Sequence, residues 1–203
     1  MSEKIIIIGG SGAIGKAFVE FYKEQNSSNI VYSFSRSNNP IDNENIINSY
    51  IDIQDEVSIA EAAEFSKKEE YFDKIIVATG ILHDDDLSPE KTYKNINSTS
   101  MGKVFSINTI GPALIAKNFI PLLNKEKKSF FGFLSARVGS ISDNRMGGWY
   151  SYRASKSALN MIIKSLSIEV ARNNPNAIIA GLHPGTVCLL YTSDAADEED
   201  SVD

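Results

Sequence analysis

In the segment YSYRASKSALN, Tyr152 and Lys156 stand four residues apart, a spacing that puts two side chains on one face of a helix. A free phenol titrates near pH ~10 and is a poor base at neutrality. An ammonium beside it favours the phenolate and draws that value toward the working range, which suits a tyrosine to general acid/base chemistry at an oxygen. Alone the pattern is weak, because a chain with eight tyrosines yields such a match by chance about as often as not.

A second cluster lies near the N-terminus. KIIIIGGSGAIG sets Gly10, Gly12 and Gly15 as G-x-G-x-x-G directly after a β-branched run and at the mouth of an amphipathic stretch, the context that dinucleotide binding demands. Glycines allow the tight turn and a close approach to a pyrophosphate, whose charge meets unpaired amides at the positive end of a helix. The turn residues assigned to a cofactor are Gly9, Gly10, Ser11, Gly12, Ile14 and Gly15. The plainer alternative is a turn that merely packs helix on sheet.

About twenty residues on, where a ribose-binding acid would sit, the chain reads Ser35 and Arg36. A carboxylate there would repel a 2′-phosphate, whereas Arg36 can bind one through charge-assisted hydrogen bonds. NADP(H) is therefore favoured over NAD(H). The alternative for Arg36 is a solvent-facing arginine at the start of a loop.

These residues need a frame, and the alternation of short β-branched runs with longer amphipathic stretches predicts βα units feeding a parallel sheet buried on both faces. Strands are expected at residues 4–8, 30–34, 47–51, 74–78, 129–134 and 177–182. The first helix begins after Gly12 with Ile14, Phe18, Val19 and Tyr22 on one side, and another runs from about Tyr150 to Arg172. No internal repeat or linker divides the chain.

Taken in order, the glycine-rich turn, ATG at Ala78, Thr79 and Gly80, Asn108 in FSINTIGP, Ser135 in FGFLSARVGS, Tyr152 with Lys156, and HPGT at 183–186 resemble the short-chain dehydrogenase/reductase family. The stretch LSARVGSISDNRMGGWYSYRASKSALN is similar to its subgroup that includes C-factor, a bacterial protein linked to cell-to-cell signalling. The resemblance implies an α/β Rossmann doubly wound parallel sheet in the order 3-2-1-4-5-6, lacking the family's seventh strand, with helices on both faces.

It further implies that Tyr152 is the general acid/base, and that Lys156 lowers its pKa and holds the nicotinamide ribose. On the same resemblance Ser135 would hydrogen-bond the substrate oxygen, and Asn108 would bend its helix and position a water in a proton relay to Lys156; taken singly, Ser135 also reads as a strand-end turn residue and Asn108 as a polar helix residue. Asp52 and Ile53 resemble the adenine-contacting pair, and Pro184, Gly185 and Thr186 pass under the nicotinamide, with Thr186 available to its carboxamide. His183 reads as a structural residue of that turn, and His83 with Asp84 to Asp86 as a solvated loop.

The pattern is departed from in places. Ala13 replaces the commoner middle glycine, although Gly12 supplies one a residue earlier. Thr79 stands for the usual asparagine, which weakens a backbone link between neighbouring strands. The interval from Ser135 to Tyr152 is long, and the extra residues around Asn144 to Trp149 read as substrate-pocket wall.

The implied activity is an oxidoreductase passing hydride between a nicotinamide and a small carbonyl or alcohol. The alternative is a nucleotide-binding signalling or cofactor-sensing protein of the C-factor type with little turnover. Many members of the family self-associate through the helices that carry Asn108 and Tyr152.

Composition narrows the classes. A chain of 203 residues with 42% apolar and 23% charged residues suits one soluble domain. A net charge of −6 and a pI near 5.0 argue against nucleic acid, which needs a basic face. One cysteine and two well-separated histidines argue against an internal disulfide or a metal site and for a reducing compartment. The run of four isoleucines is too short for a signal or a membrane span, so the cytoplasm is expected.

After Val187 the periodicity stops and acids accumulate in CLLYTSDAADEEDSVD. One reading is a solvated acidic tail. The favoured one is that Cys188 to Glu198 is the conceptual translation of a sequencing-library adapter. A nicotinamide-cofactor-binding domain would then span 1–187, incomplete at its C-terminus, with 188–203 a non-native or disordered tail.

Overall fold

Four consecutive isoleucines, Ile5 to Ile8, can all leave water only in a sheet covered on both sides, and all four are inaccessible to solvent. The computed structural model describes residues 2–37 and 43–185; Thr186 and the segment 188–203 lie outside the described residues. The strands are β1 (Lys4–Ile8), β2 (Ile30–Ser35), β3 (Ile46–Tyr50), β4 (Lys74–Val77), β5 (Ser129–Leu134) and β6 (Ala177–Leu182). Every pairing between them is parallel, and the order is β3-β2-β1-β4-β5-β6. This is the doubly wound α/β sheet that the alternation predicts.

Because strand side chains alternate, the isoleucines divide. Ile5 and Ile7 pack with Val19 and Tyr22 of α1 (Ala13–Gln25). Ile6 and Ile8 join the larger core, which takes in Ile59 of α2 (Glu56–Ser66), Ile115 and Phe119 of α4 (Gly111–Phe119), and Leu159 and Ile163 of α5 (Tyr150–Asn173).

The stretch between β4 and β5 is less regular than a single amphipathic helix. It begins as α3 (Ser98–Phe105) and passes through one π-turn, Ser106–Ile110, before continuing as α4. Pro112 explains the interruption: it has no amide to offer, and in a regular helix its ring would collide with the carbonyl four residues back, that of Asn108. The Gly111 amide instead reaches five residues back, to the Ser106 carbonyl. Gly111 also lies where a Cβ would come within 2.8 Å of the Ile53 carbonyl oxygen, so the helix can approach the β3–α2 connection only with glycine there.

Among the described residues no helix is long and apolar enough to cross a membrane, and no group of three or more His, Cys, Asp or Glu could hold a metal ion.

Candidate active site

The turn after β1 is built for close backbone approach. Gly9 has φ 92°, and its amide and that of Gly10 donate to the Phe34 carbonyl at 2.8 and 3.1 Å, tying the turn to β2. A Cβ on Gly15 would lie 2.0 Å from the Gly9 carbonyl oxygen, and one on Gly10 would lie 2.2 Å from the Ser33 hydroxyl. Helix α1 has Gly12 at its N-cap, no side-chain cap and no acid in its first turn. By contrast, α2 is capped by Asp55, which accepts from the Val57 amide, and carries Glu56. The first amides of α1 thus face outward at the positive end of the helix beside exposed Ser11 and Gly12, a geometry suited to a pyrophosphate.

The other residues expected to hold a cofactor follow the C-terminal ends of neighbouring strands. Arg36 is exposed just past β2. Asp52 is half-buried; its carboxylate accepts from the Gln54 amide at 3.0 Å, and its own amide donates to the Ser58 hydroxyl at 2.9 Å. Ile53 belongs to the main core. Ala78 and Thr79 are half-buried beyond β4, and the Thr79 hydroxyl is buried with no hydrogen-bond partner among the described residues. Pro184 and Gly185 are exposed after β6, Gly185 with φ 77°. These features fit a nicotinamide dinucleotide: a turn in which Gly9, Gly10 and Gly15 leave no room for a Cβ, an open helix end, and an unpaired polar atom beside it.

The proposed catalytic residues converge at the ends of β4 and β5. Asn108, fully buried, lies in the π-turn; it accepts from the Ile81 amide and donates to the Ile81 carbonyl, each at 2.8 Å. It also donates to the Ser155 hydroxyl at 3.2 Å, which in turn donates to the Tyr152 carbonyl at 2.8 Å. Thr109 donates to the Ser155 carbonyl at 2.9 Å. The π-turn is thereby stitched to the first turns of α5.

Lys156, 3% exposed, donates from Nζ to the Leu134 carbonyl at the end of β5, 2.8 Å away. Its ammonium lies 5.8 Å from the Tyr152 ring centroid. A Cβ on Gly80 would fall 3.2 Å from that Nζ and 3.4 Å from Asn108 Oδ1, so glycine leaves a gap bordered by both. Burial pulls Lys156 down to about 8. Burial also pushes the Tyr152 phenol above its ordinary value, opposite to the lowering expected from the lysine.

Ser135, next after β5, anchors its amide on the Leu182 carbonyl at 2.9 Å, and its hydroxyl donates to Asn160 Oδ1 at 2.6 Å. Asn160 is a residue the motifs do not mark. It stands one helical turn beyond Lys156, so the ladder Tyr152, Lys156, Asn160 was visible as an i, i+4 series, but its partner lies on another element. Together, a phenol held above its ordinary pKa, a buried lysine pulled down to about 8 and a hydroxyl oriented by Asn160 are carried by the first turns of α5 and the residue that follows β5.

Comparison with known proteins follows the same lines. The family model described as short chain dehydrogenase matches residues 3–199. A 1-hydroxy-2-glutathionyl-2-methyl-3-butene dehydrogenase of Rhodococcus sp. strain AD45 is 31% identical over 149 residues, 73% of this chain and 62% of that protein. The C-signal of Myxococcus xanthus is 32% identical over 93 residues, 46% of this chain and 55% of that protein. The chain therefore spans less than two thirds of the length of these relatives. Among solved structures, the NADPH-bound carbonyl reductase from chicken fatty liver superposes with a TM-score of 0.78 at 24% identity, covering 91% of this chain and 76% of that one. That last likeness concerns the fold.

Proposed function

The chain belongs to the short chain dehydrogenase family, and from that premise we propose that it is an NADP(H)-dependent oxidoreductase acting on a small carbonyl or alcohol through Tyr152, Lys156, Ser135 and Asn108. The observation that carries the reading is Lys156. A lysine 3% exposed costs the fold stability that an apolar residue of similar size would not, and perturbed buried groups of this kind cluster where chemistry is done.

In reduction, Tyr152 donates its proton to the carbonyl oxygen, and in oxidation it takes a proton from the alcohol. A phenol held above its ordinary pKa stays protonated at neutrality, the form that reduction uses. Lys156 would place positive charge where the oxygen becomes negative and the Ser135 hydroxyl would offer a hydrogen bond there, so charge development would meet preplaced partners. Asn108 holds the Ile81 backbone and, through Ser155, the start of α5. The nicotinamide supplies or accepts the hydride when bound.

Gly9, Gly10, Ser11, Gly12, Ile14 and Gly15 would hold the pyrophosphate and Arg36 the 2′-phosphate, with no carboxylate at the end of β2 to oppose it. Asp52, Ile53, Ala78, Thr79 and Gly80 would border the adenosine and ribose, and Pro184, Gly185 and Thr186 the nicotinamide. All of this falls within one domain, residues 1–187.

The likeness to C-signal favours a second reading, a signalling protein that binds the nucleotide and turns over little. A panel of aldehydes, ketones and alcohols assayed with NADPH, NADH and their oxidised forms separates the two. Turnover that Tyr152→Phe abolishes while cofactor binding survives supports the enzyme. Tight NADPH binding without turnover across the panel supports the signalling reading, and absence of any nucleotide binding defeats both.

A further inference from the structure

Helix α5 carries Tyr152 in its first turn, yet it starts badly by local rules. Its N-cap is Trp149, which has no side-chain acceptor and sits at φ 51°, after Gly147 and Gly148 at φ 69° and 64°. A helix begun this way leaves its first amides unpaired. The missing cap comes from far along the chain. Glu90, between β4 and α3, is 5% exposed; its carboxylate accepts from the Ser151 amide at 3.1 Å and from the Ser151 hydroxyl. Its backbone carbonyl accepts from the Trp149 amide at 2.6 Å.

The loop side of the junction is held as well. Arg153 Nε donates to the Gly147 and Gly148 carbonyls at 3.2 and 3.1 Å. Trp149 meets Tyr152 edge to face, with ring centroids 6.3 Å apart. Burying a carboxylate is costly, and here the bonds from Ser151 and the positive end of α5 compensate. Burial alone would raise the Glu90 pKa, but the bonds from Ser151 and from the backbone amide of Glu90 itself together outweigh it and hold the group below the ordinary carboxylate value.

We propose that Glu90 is a positioning residue for the reaction: a cap supplied to α5 from the connection between β4 and α3 that fixes Ser151 and Trp149 and so sets the place of Tyr152 against its substrate. The proposal rests on the enzyme reading. It also explains how a non-glycine residue persists in a left-handed conformation beside the site, since backbone strain of that kind lasts only where neighbours over-determine it.

The test compares Glu90→Ala, Glu90→Gln and Ser151→Ala in the full chain. Small displacements of a reacting group cost rate more than binding, so Glu90→Ala is expected to lower kcat about tenfold or more while NADPH affinity stays within about twofold. Glu90→Gln keeps an acceptor for the Ser151 amide and a donor for its hydroxyl, and should recover most of kcat; Ser151→Ala should fall between. Trp149 is the chain's one tryptophan, so its emission reports the junction directly, and Glu90→Ala should shift it to the red and open it to acrylamide quenching.

Wild-type kcat in Glu90→Ala, or Glu90→Gln as impaired as Glu90→Ala, overturns the proposal. If Glu90→Ala does not fold, the kcat of Glu90→Gln and Ser151→Ala decides between the same outcomes. A wild-type protein without turnover defeats the activity reading by itself, and the clamp is then judged on tryptophan emission, where no change between wild type and Glu90→Ala overturns it.

Discussion

The chemistry proposed for Lys156 is set against stability at a single residue. Burial moves it from 10.5 to about 8, so below pH 8 both folded and unfolded chains hold the proton, and the folded state bears the full cost of a buried cation. Between about 8 and 10.5 the folded protein releases that proton first, and stability rises with pH through this window. Lys156→Met should therefore abolish turnover yet raise unfolding free energy at pH 7 by ~1–3 kcal/mol, part of the gain being lost with the bond to Leu134. The advantage over wild type should shrink as pH climbs toward 10. Denaturant unfolding of both proteins across that range checks it, and a variant less stable than wild type at pH 7 contradicts the account. The role proposed for Arg36, cofactor choice, is tested at the same scale. Arg36→Asp should weaken NADPH binding by tenfold or more, about the worth of a charge-assisted pair, and NADH far less. Equal losses, or a wild-type preference for NADH, would remove Arg36 from the 2′-phosphate.

The turn that joins β1 to α1 acts as one element, and its glycines can be tested against a glycine that does nothing similar. A Cβ on Gly15 would meet the Gly9 backbone at 2.0 and 2.7 Å, whereas one on Gly102 in α3 would meet nothing within 4 Å. Gly15→Ala should displace the start of α1, destabilise the fold by ~1–3 kcal/mol and lose most nucleotide affinity. Gly102→Ala should be neutral or gain ~0.5–1 kcal/mol. Wild-type NADPH affinity in Gly15→Ala would mean that this turn is not the cradle. The contrast also marks what could be read in the sequence. The six strands fall within a residue or so of their hydrophobic runs, most clearly the inner four, because a parallel strand buried on both faces writes its own signal. The π-turn does not: Pro112 was in plain view, but whether a proline ends a helix or bulges it depends on the tertiary contacts around it, here the side-chain amide of Asn108 bonded to the Ile81 backbone and the Ser155 hydroxyl. Asn160 and Glu90 escaped for a related reason, since each acts on a partner that sequence spacing cannot bring near. The direction of the Tyr152 pKa was also out of reach, because periodicity says which face a residue occupies and not how completely the fold dries it.

Across the whole molecule the sheet is unevenly protected, and the site straddles the difference. Strand β1 is central, with four inaccessible isoleucines and a paired neighbour on each side. Among the described residues strands β3 and β6 are the outer members; Tyr50 in β3 is 57% exposed and Ile178 in β6 is 52% exposed. Apolar burial and backbone pairing set local opening free energies, so β3 and β6 should open at lower cost than β1, β4 and β5. The glycine turn hangs from β1 and is tied to β2 at Phe34. Ser135 is tied instead to β6 through Leu182. The half of the site assigned to the pyrophosphate should therefore stay formed while the half facing substrate fluctuates, an arrangement suited to an enzyme that holds its cofactor and exchanges substrate past it. Native-state hydrogen exchange measures this directly. Amides of Ile6, Ile7 and Ile8 are expected to exchange at close to the global unfolding free energy, and those of Ile179 and Ala180 to exchange through a lower-energy opening that carries the Ser135 amide with it. Saturating NADPH should slow the β1 turn further and leave the β6 opening less affected. Equal protection across all six strands would make the sheet one cooperative unit, and the division of the site into a fixed half and a moving half would then have no physical basis.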